Sequence, residues 1–476
     1  MDNTFARLLL AEDQEAAMRE DMAAAIAASH AGVGLARSPL RLLLVGYGGA
    51  GNIGADIRIL ETARQLRAIF GKDAIALGMI SRGGSTAPVD GVVVELSDRY
   101  FPDFLADTIS RYDAVLVCEG SLFKSNFSNT LATMLAGALG IAAAQGKPAI
   151  AYGVEAGAMD EPLADFVKAH CARSTVFCRS QGSLDIVRND LGFDATLGAD
   201  TAWTFEAAPP DAARRLLSDA GWNAADPILA LCPINPFWWP VKPDVMRALT
   251  GDDAGEGAHY NTIFYHHHSD DADAKFARYI AAMAEAAAAY ARATGAFPVV
   301  IGMERLDRTA CSLLSAALPG HPPVFTSETL DARHIAGLLR QASLVISSRY
   351  HAVVLAMSGK VPTIGITMDE RLRNLMAEYG RPDLSIDVDT PDLGHCLAEA
   401  LQAVIGAGET TRGELDRFVG RQLVRQGRMG QRLAAVIADA YPEYRPAQRA
   451  ERKLEEFLPT LPTDLRELFD KALRTP

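Results

Sequence analysis

Short apolar runs alternate with stretches of helical periodicity along most of this chain. Each run has the length of a buried strand, and several are separated by segments with helical spacing of apolar residues. This alternation predicts a mostly parallel sheet with helices on both faces. The first series of runs comprises Leu42–Val45, Ala74–Ile80, Val92–Leu96, Ala114–Cys118, Ala149–Tyr152 and Thr175–Cys178.

A second series of apolar runs follows residues 206–226, a Pro-containing stretch that we take as a linker between two domains. We expect α/β domains at 37–205 and 227–405, with helical extensions at 1–36 and 406–476. Ligands of open parallel sheets bind at the carboxyl ends of strands, so we expect a cleft between the two sheets. The second series comprises Ile228–Cys232, Thr262–Tyr265, Pro298–Ile301, Leu344–Ile346 and Thr363–Ile366.

Composition narrows the class of protein. Hydrophobic residues make up 49 % and charged residues 22 % of the 476 residues, which is typical of a globular protein. The formal net charge of −13 repels phosphate backbones, so we expect no nucleic-acid partner. The six cysteines are scattered, without spacing typical of a zinc site, and we expect reduced core thiols. With no secretory signal and no long apolar segment, the sequence predicts a cytoplasmic protein.

A glycine-rich loop, Gly46 to Gly54, follows the first apolar run and precedes a predicted helix. Gly46, Gly48 and Gly51 fit a GxGxxG pattern, and backbone N–H groups at a helix N-terminus suit an anionic ligand. A dinucleotide site also needs an acidic residue at the end of the second strand. Here the predicted second strand is followed by Arg82 instead. A loop that lines the cleft is therefore favoured, and a plain tight turn or an NAD site are the alternatives.

Two further loops at predicted strand ends carry charged and polar side chains. The first contains Glu119, Ser121 and Lys124. Glu119 could act as a general base toward a hydroxyl group, or it could simply pair with Lys124. In the second, Arg179 could grip a phosphate or carboxylate, or it could form a structural salt bridge with Asp200.

The strongest candidate site is a strand-to-helix junction that contains Arg349 and His351. A fixed cation beside a group that titrates near neutrality suits proton transfer to an anionic substrate. The alternative is a structural histidine in the core, but such a histidine would rarely lie two residues from an arginine at this kind of junction. We therefore place the chemistry at this segment.

Together these segments resemble the polysaccharide pyruvyl transferase family over residues 40–385. The resemblance implies a GT-B-like fold, in which two Rossmann-like domains face a cleft. It also implies a transferase that moves the pyruvyl unit of phosphoenolpyruvate onto a diol of a sugar or lipid-linked glycan, forms a ketal and releases phosphate. The matching features are Ser347 to Met357 with Gly359–Gly365, the loop with Asn52 and Gly54, Glu119–Ser121, Gly146–Pro148, Arg179 with Ser183, and Asp200.

The resemblance also assigns roles to particular residues. His351 would be the general acid, and Arg349 and Arg179 would neutralise the phosphate and carboxylate of the donor. No metal and no organic cofactor is needed. The residues expected to bind substrate are Asn52, Gly54, Asp56, Glu119, Ser121, Lys124 and Asp200.

This sequence departs from the family pattern at two positions on the expected acceptor side. The family often has Asn-x-Gly-Asp in the first loop, whereas here Asp56 is displaced by one residue. Glu119 replaces a glycine. The acceptor therefore stays open, and the alternatives are a nucleotide-sugar glycosyltransferase, a family member acting on a non-glycan metabolite, and a non-catalytic binding homologue.

Two aromatic segments lie outside the family pattern. His266, His267 and His268 would alternate between the faces of an extended strand, which is poor geometry for one metal ion, so we favour a loop at the entry to a helix. Trp238 and Trp239 could stack on a sugar ring or anchor a loop.

Five arginines form one face of a predicted helix, Thr411 to Ala440, because they recur at three- and four-residue steps. This face could dock on an anionic membrane or bind a partner. A solvated face, or one paired with acidic residues of the body, is favoured; a homo-oligomer is also compatible with the sequence. The five are Arg417, Arg421, Arg425, Arg428 and Arg432.

Overall fold

The computed structural model describes residues 3–31, 38–81, 90–96, 102–250, 259, 263–444 and 452–474; for residues 3–6 and 407–410 it describes the backbone alone. Parts of the sequence predictions fall outside these ranges. They are residues 1–2 and 32–36 of the N-terminal extension, residues 445–451 and 475–476 of the C-terminal extension, Arg82 and Thr262, and residues 37, 83–89, 97–101, 251–258 and 260–261 of the two predicted domains.

The first domain contains a seven-stranded sheet whose paired strands are all parallel. In chain order the strands are β1 (Leu40–Val45), β2 (Ile75–Ser81), β3 (Val92–Leu96), β4 (Ala114–Val117), β5 (Ala149–Val154), β6 (Thr175–Cys178) and β7 (Ala195–Leu197). In the sheet they are ordered β3-β2-β1-β4-β5-β6-β7. All residues of β4 and β5 are buried, as expected for central strands covered by helices on both faces.

The described part of this half contains the α-helices α1 (Asn3–Leu10), α2 (Gln14–Ala28), α3 (Ile53–Phe70), α4 (Pro102–Ser110), α5 (Asn129–Ala144), α6 (Glu161–Cys171) and α7 (Gln181–Asn189). The start of α3 is fixed by Asn52, whose side-chain oxygen accepts a hydrogen bond from the Ala55 N–H at 3.2 Å. Gly71 ends this helix with a φ of 90°, a conformation that glycine adopts readily.

The second half contributes the strands β8 (Ile228–Cys232), β9 (Lys242–Pro243), β10 (Phe264–Tyr265), β11 (Phe297–Gly302), β12 (Val324–Thr326), β13 (Leu344–Ser347), β14 (Thr363–Thr367) and β15 (Ser385–Asp387). Six of them form a parallel sheet in the order β12-β11-β8-β13-β14-β15. The run that ends at Tyr265 does not join this sheet as predicted, because β10 pairs antiparallel with β9. The prediction of two parallel sheets with covering helices is confirmed.

The helices of this half are α8 (Pro210–Asp219), α9 (Val245–Thr250), α10 (Asp270–Thr294), α11 (Arg308–Ala317), α12 (Ala332–Gln341), α13 (Tyr350–Ser358), α14 (Glu370–Tyr379), α15 (Leu393–Ala440) and α16 (Thr463–Arg474). The helix α8 lies in the expected linker. Strands of both sheets end at the cleft, so the loops after β1, β4, β6 and β13 converge there.

The long helix α15 joins the two domains. It has 48 residues and follows β15, the last strand of the second sheet. Midway along it, Phe418 packs edge-on against Trp203, with ring centroids 5.6 Å apart. Farther along, Leu433 and Ile437 enter the core on one face of the first sheet. The boundary expected between 405 and 406 falls inside this helix, so the division into domains stays a prediction.

Candidate active site

A cleft lies between the two domains, and six of the ten predicted site residues line it. They are Asn52, Gly54, Glu119, Ser121, Arg349 and His351. Arg58, Glu304 and Tyr350 also line the cleft, although the sequence analysis did not single them out. Four predicted residues do not line the cleft. Of these, Asp56 is half-buried, and the other three are buried: Lys124, Arg179 and Asp200.

Asp200 is the centre of a buried charge cluster beside the cleft. Its Oδ2 accepts a hydrogen bond from Arg179 Nη1 at 2.8 Å, and Arg58 Nη1 lies 3.7 Å from the same oxygen. His351 Nε2 is 3.4 Å from it. One carboxylate therefore faces two guanidinium groups and an imidazole, so the salt bridge between Arg179 and Asp200 forms but is part of a larger cluster.

The pKa values of this cluster reflect burial and mutual charge. Burial alone would raise the pKa of Asp200, but Arg58, His351 and Arg179 hold it well below its usual value. Burial lowers the pKa of His351, while the Asp200 carboxylate opposes that effect. The imidazole is therefore mainly neutral at pH 7 when no ligand is bound, and Asp200 is ionised.

Several nitrogen atoms of the cluster are buried without a hydrogen-bond partner. They are Arg58 Nε and Arg179 Nη2, together with Arg58 Nη1 and His351 Nε2, which face the Asp200 carboxylate only at 3.7 and 3.4 Å. Buried polar groups are nearly always hydrogen-bonded, so such a concentration of unsatisfied donors beside a cleft indicates a place for an anion. An added Cβ at Gly120 would lie 2.7 Å from Arg179 Nη1 and 2.9 Å from Arg58 Nη1, so this glycine lets the loop after β4 approach both cations.

Arg58 lies inside α3, and its Nη2 donates to the backbone oxygens of Tyr152 at 2.9 Å and Gly153 at 2.7 Å. These bonds lock the side chain across the ends of the central strands. One signal in the sequence could have found it. Arg58 is four residues after Gly54, so both lie on the same face of the helix.

Arg179 is held from several sides. Its Nε donates to Glu155 Oε2 at 2.6 Å, and its guanidinium lies 3.9 Å from the centre of the Tyr350 ring. Glu155 also accepts hydrogen bonds from Ser180 at 2.8 Å and from Asn374 of the second domain at 2.8 Å. Both domains therefore set the position of this arginine.

Arg349 is bound by two carboxylates. Its Nε lies 3.0 Å from both oxygens of Asp307, and its Nη2 contacts Asp307 and Glu304. Glu304 in turn accepts a hydrogen bond from Asn52 Nδ2 at 2.8 Å. Burial, with the nearby Glu304 charge, raises the pKa of Asp307 to about 6 although Arg349 opposes the shift. Glu304 thus links the start of α3 to Arg349.

Three predicted residues have contacts that the sequence did not reveal. Asp56 Oδ1 accepts a hydrogen bond from the Gly49 N–H at 2.6 Å, and burial raises the pKa of this carboxyl to about 6. Lys124 Nζ lies 3.3 Å from Asp369 and 3.0 Å from Glu370. It therefore pairs with these two carboxylates of the second domain, and not with Glu119 as the sequence had suggested as one alternative. Glu119 accepts only a 3.3 Å bond from the Ser121 N–H among the described hydrogen bonds.

Two helix N-termini meet at the cleft. Gly54 lies in the first turn of α3 and His351 in the first turn of α13, and both line the cleft. The N-terminus of a helix carries partial positive charge and free N–H groups, so both ends favour an anionic ligand.

Gly54 makes room for His351. A Cβ at position 54 would lie 2.0 Å from Nδ1 and 2.6 Å from Cγ of the imidazole. We expect Gly54→Ala to lower the free energy of unfolding by about 1–3 kcal/mol, because the ring must leave its site. Urea denaturation measures this change.

The matched control for that substitution is Gly413→Ala in the exposed part of α15, where the nearest atom to an added Cβ is 3.9 Å away. There alanine should raise the free energy of unfolding by up to about 1 kcal/mol, since glycine is a poor helix former. If Gly54→Ala were as stable as the wild type, the close approach of Gly54 and His351 would be refuted.

An aromatic cluster forms one wall of the cleft. Trp239 and His259 line it, and their ring centroids are 5.3 Å apart. His266 stacks on Trp238 at 4.0 Å, and burial lowers its pKa to about 4. His266 to His268 lie in the loop that enters α10, as expected. Among the described residues, no group of three His, Cys, Asp or Glu side chains could hold a metal ion.

The fold and this cleft define a GT-B-like protein, with two Rossmann-like domains whose strand ends enclose an arginine-rich site. A solved structure of a UDP-N-acetylglucosamine 2-epimerase from Listeria monocytogenes is similar with a TM-score of 0.52 and 12 % identity, covering 86 % of this chain and 99 % of that chain. The UDP complex of MnaA from S. aureus also has a TM-score of 0.52, with 9 % identity and coverage of 87 % and 100 %.

Sequence comparison gives the family. The family model "Polysaccharide pyruvyl transferase" matches residues 52–370, more than half of the chain. The protein therefore belongs to the polysaccharide pyruvyl transferase family and is a transferase, as the resemblance implied. No curated protein matches the sequence significantly. No helix among the described residues is both long and apolar enough to cross a bilayer.

Proposed function

We propose that the protein transfers the pyruvyl unit of phosphoenolpyruvate to two hydroxyls of a sugar or glycan, forming a cyclic ketal and releasing phosphate. The observation that supports this most is the pair of buried arginines, Arg58 and Arg179, whose unsatisfied nitrogens lie beside His351. Because phosphoenolpyruvate is made in the cytoplasm, the reaction belongs there.

The donor carries a planar carboxylate and a tetrahedral phosphate. A guanidinium group can bind either of these anions with two hydrogen bonds. Arg58 and Arg179 supply such donors in a site that burial keeps dry. The N-termini of α3 and α13 add partial positive charge. Arg349 lines the same cleft, but its Nε and Nη2 already bind Asp307 and Glu304, so we assign it no direct contact with the donor.

His351 is the proposed general acid. Its proton is transferred to the methylene carbon of the enol, which becomes a methyl group and leaves cationic character on the adjacent carbon. Asp200 stabilises the imidazolium form before the transfer, because its carboxylate is only 3.4 Å from Nε2. The first acceptor hydroxyl attacks the cationic carbon, phosphate leaves with its bonding electrons, and the second hydroxyl closes the ketal.

Each acceptor hydroxyl loses one proton as it attacks; one of these protons leaves with the phosphate and the other restores the proton that His351 gave to carbon, so a base is needed on the acceptor side to relay them. Glu119 is half-buried and lines the cleft. We assign it this role, with Ser121 beside it as a hydrogen-bonding group for the sugar. The aromatic wall with Trp239 offers a face on which a sugar ring can stack.

The test is a transfer assay with phosphoenolpyruvate and a panel of methyl hexosides that carry free 4,6-diols or 3,4-diols. The proposal predicts phosphate release together with a new ketal methyl signal in the NMR spectrum, and loss of both with His351→Gln. Phosphate release without a ketal, or glycosyl transfer from a nucleotide sugar under the same conditions, would contradict it.

Donor binding should take up protons at His351. Burial keeps the pKa of the free imidazole below its ordinary value, and an anion bound beside it raises that pKa. At pH 7.5 we therefore expect uptake of a substantial fraction of one proton per donor, and weaker binding as pH rises through the pKa of the complex. Calorimetry in Tris and in PIPES gives the proton count from the difference in apparent enthalpy.

His351→Gln separates this uptake from protonation of other groups. The variant should bind the donor with little proton uptake, whereas Glu119→Gln should keep the uptake of the wild type. Equal uptake by the wild type and His351→Gln would show that the histidine does not respond to the donor.

A further inference from the structure

The solvent-facing side of α15 between residues 415 and 432 consists almost entirely of arginine. Arg417, Arg421, Arg428 and Arg432 are exposed there, and Gln431 is the other exposed residue of this segment. The remaining residues of the segment are buried or half-buried. We refer to the four exposed arginines as the arginine stripe.

The stripe is straight and narrow. At about 100° per residue, its four positions fall within an arc of about 60° around the helix, and it is about 22 Å long. Arg425 lies about 20° beyond this arc, is half-buried, and its Nη1 pairs with Glu378 at 2.6 Å. Other faces of α15 are anchored in the cores of both domains, for example by Phe418 and Leu433.

This clustering has an electrostatic cost, because like charges on successive turns of a helix repel. Burial and the charges of Arg425 and Arg417 lower the pKa of Arg421, which reflects that repulsion. The chain contains 59 acidic residues against 46 lysines and arginines, so counter-charges are plentiful. Exposed arginines elsewhere use them, as Arg308 does with Glu328. Yet none of the stripe arginines has an ion pair among the described residues.

We propose that the arginine stripe docks on the surface of an anionic phospholipid membrane. A guanidinium group binds a lipid phosphate with two hydrogen bonds, and a straight ridge of cations fits a flat array of phosphates. The stripe has no exposed apolar side chain, whereas stable protein interfaces have an apolar centre. A bilayer surface attracts such residues without burying them.

Docking would fix how the cleft faces the membrane, because α15 is packed against both domains. This surface contact does not depend on the identity of the donor. Delivery of a lipid-linked acceptor to the cleft is a consequence that does rest on the proposed function.

The experiment is vesicle flotation of the full chain with phosphatidylcholine alone and with a three-to-one mixture of phosphatidylcholine and phosphatidylglycerol. The test variant combines Arg417→Gln, Arg421→Gln, Arg428→Gln and Arg432→Gln. The control variant has the same net charge from four exposed arginines elsewhere: Arg173→Gln, Arg215→Gln, Arg278→Gln and Arg292→Gln. Circular dichroism and donor titration check that both variants are folded.

The wild type and the control variant should float with the anionic vesicles and be released by high salt, and the wild type should not float with phosphatidylcholine alone. The stripe variant should bind on the order of a hundredfold more weakly. Failure of the wild type to float, equal losses in both variants, or binding of a soluble anionic polysaccharide in place of vesicles would each overturn the membrane assignment. Donor binding by a wild type that fails to float would leave the proposed function intact.

Discussion

Replacing Arg58 by lysine is expected to weaken phosphoenolpyruvate binding by about a hundredfold, equivalent to about 2.7 kcal/mol. Arg58 Nη2 is used by the backbone oxygens of Tyr152 and Gly153, which leaves Nε and Nη1 for the donor. Lysine keeps the positive charge but has one nitrogen, so it cannot hold the backbone and the anion together. The dissociation constant from calorimetry measures the loss.

Arg67→Lys is the matched control, since Arg67 lies on the same helix and donates to the Asp90 backbone oxygen away from the cleft. Its donor affinity should equal that of the wild type. Wild-type affinity in Arg58→Lys would show that this guanidinium does not contact the donor.

Asp200→Asn is expected to lower the free energy of unfolding by about 3–5 kcal/mol. The substitution leaves Arg58 and Arg179 buried with Glu155 as their remaining nearby carboxylate, and removal of one partner from a buried charge cluster is costly because the other charges stay unpaired. Urea denaturation at pH 7 measures the difference. Asp194→Asn, at an exposed position in the same part of the chain, should change it little.

The pH dependence of that difference has a defined sign. The pKa of Asp200 in the folded protein is well below its usual value of 3.8, so its stabilising effect is present at neutral pH and is lost as pH falls from about 4 toward the folded-state pKa. The difference in the free energy of unfolding between the wild type and Asp200→Asn should therefore decrease as the pH is lowered. A gap that stays constant down to the folded-state pKa would contradict the assigned ionisation.

The central strands could be predicted from the sequence because parallel strands buried on both faces are continuous apolar runs. The edge strands β7, β12 and β15 could not. Each has three residues and mixed exposure, so no hydrophobic pattern marks them. The strand β9 was missed for the same reason, since it has two residues, and the predicted run that contains β10 was wrongly assigned to the parallel sheet.

The candidate site was predictable where residues follow strands directly, as Glu119, Arg179 and Arg349 do. The partners of those residues were not. Glu155 approaches Arg179 through pairing of neighbouring strands, and Asp307 approaches Arg349 from a loop 42 residues earlier in the chain. Such contacts depend on packing between elements, which local sequence patterns do not encode.

The roles of the arginines illustrate this difference. The resemblance implied that Arg349 and Arg179 together hold the donor. The structure engages Arg349 with Asp307 and Glu304 and places Arg58 beside Arg179 instead, with unsatisfied nitrogens on both. In the sequence, Arg58 is one of several polar residues of a predicted helix. Only the fold shows that its side chain reaches the backbone oxygens of Tyr152 and Gly153 at the end of β5.

The most direct test of the account is a calorimetric titration of the wild-type protein with phosphoenolpyruvate and, separately, with UDP-N-acetylglucosamine, each with and without an acceptor hexoside. We expect phosphoenolpyruvate to bind at one site per chain, and the nucleotide sugar not to compete with it. Binding of the nucleotide sugar, with no heat from phosphoenolpyruvate under either condition, would contradict pyruvyl transfer and identify a nucleotide-sugar enzyme.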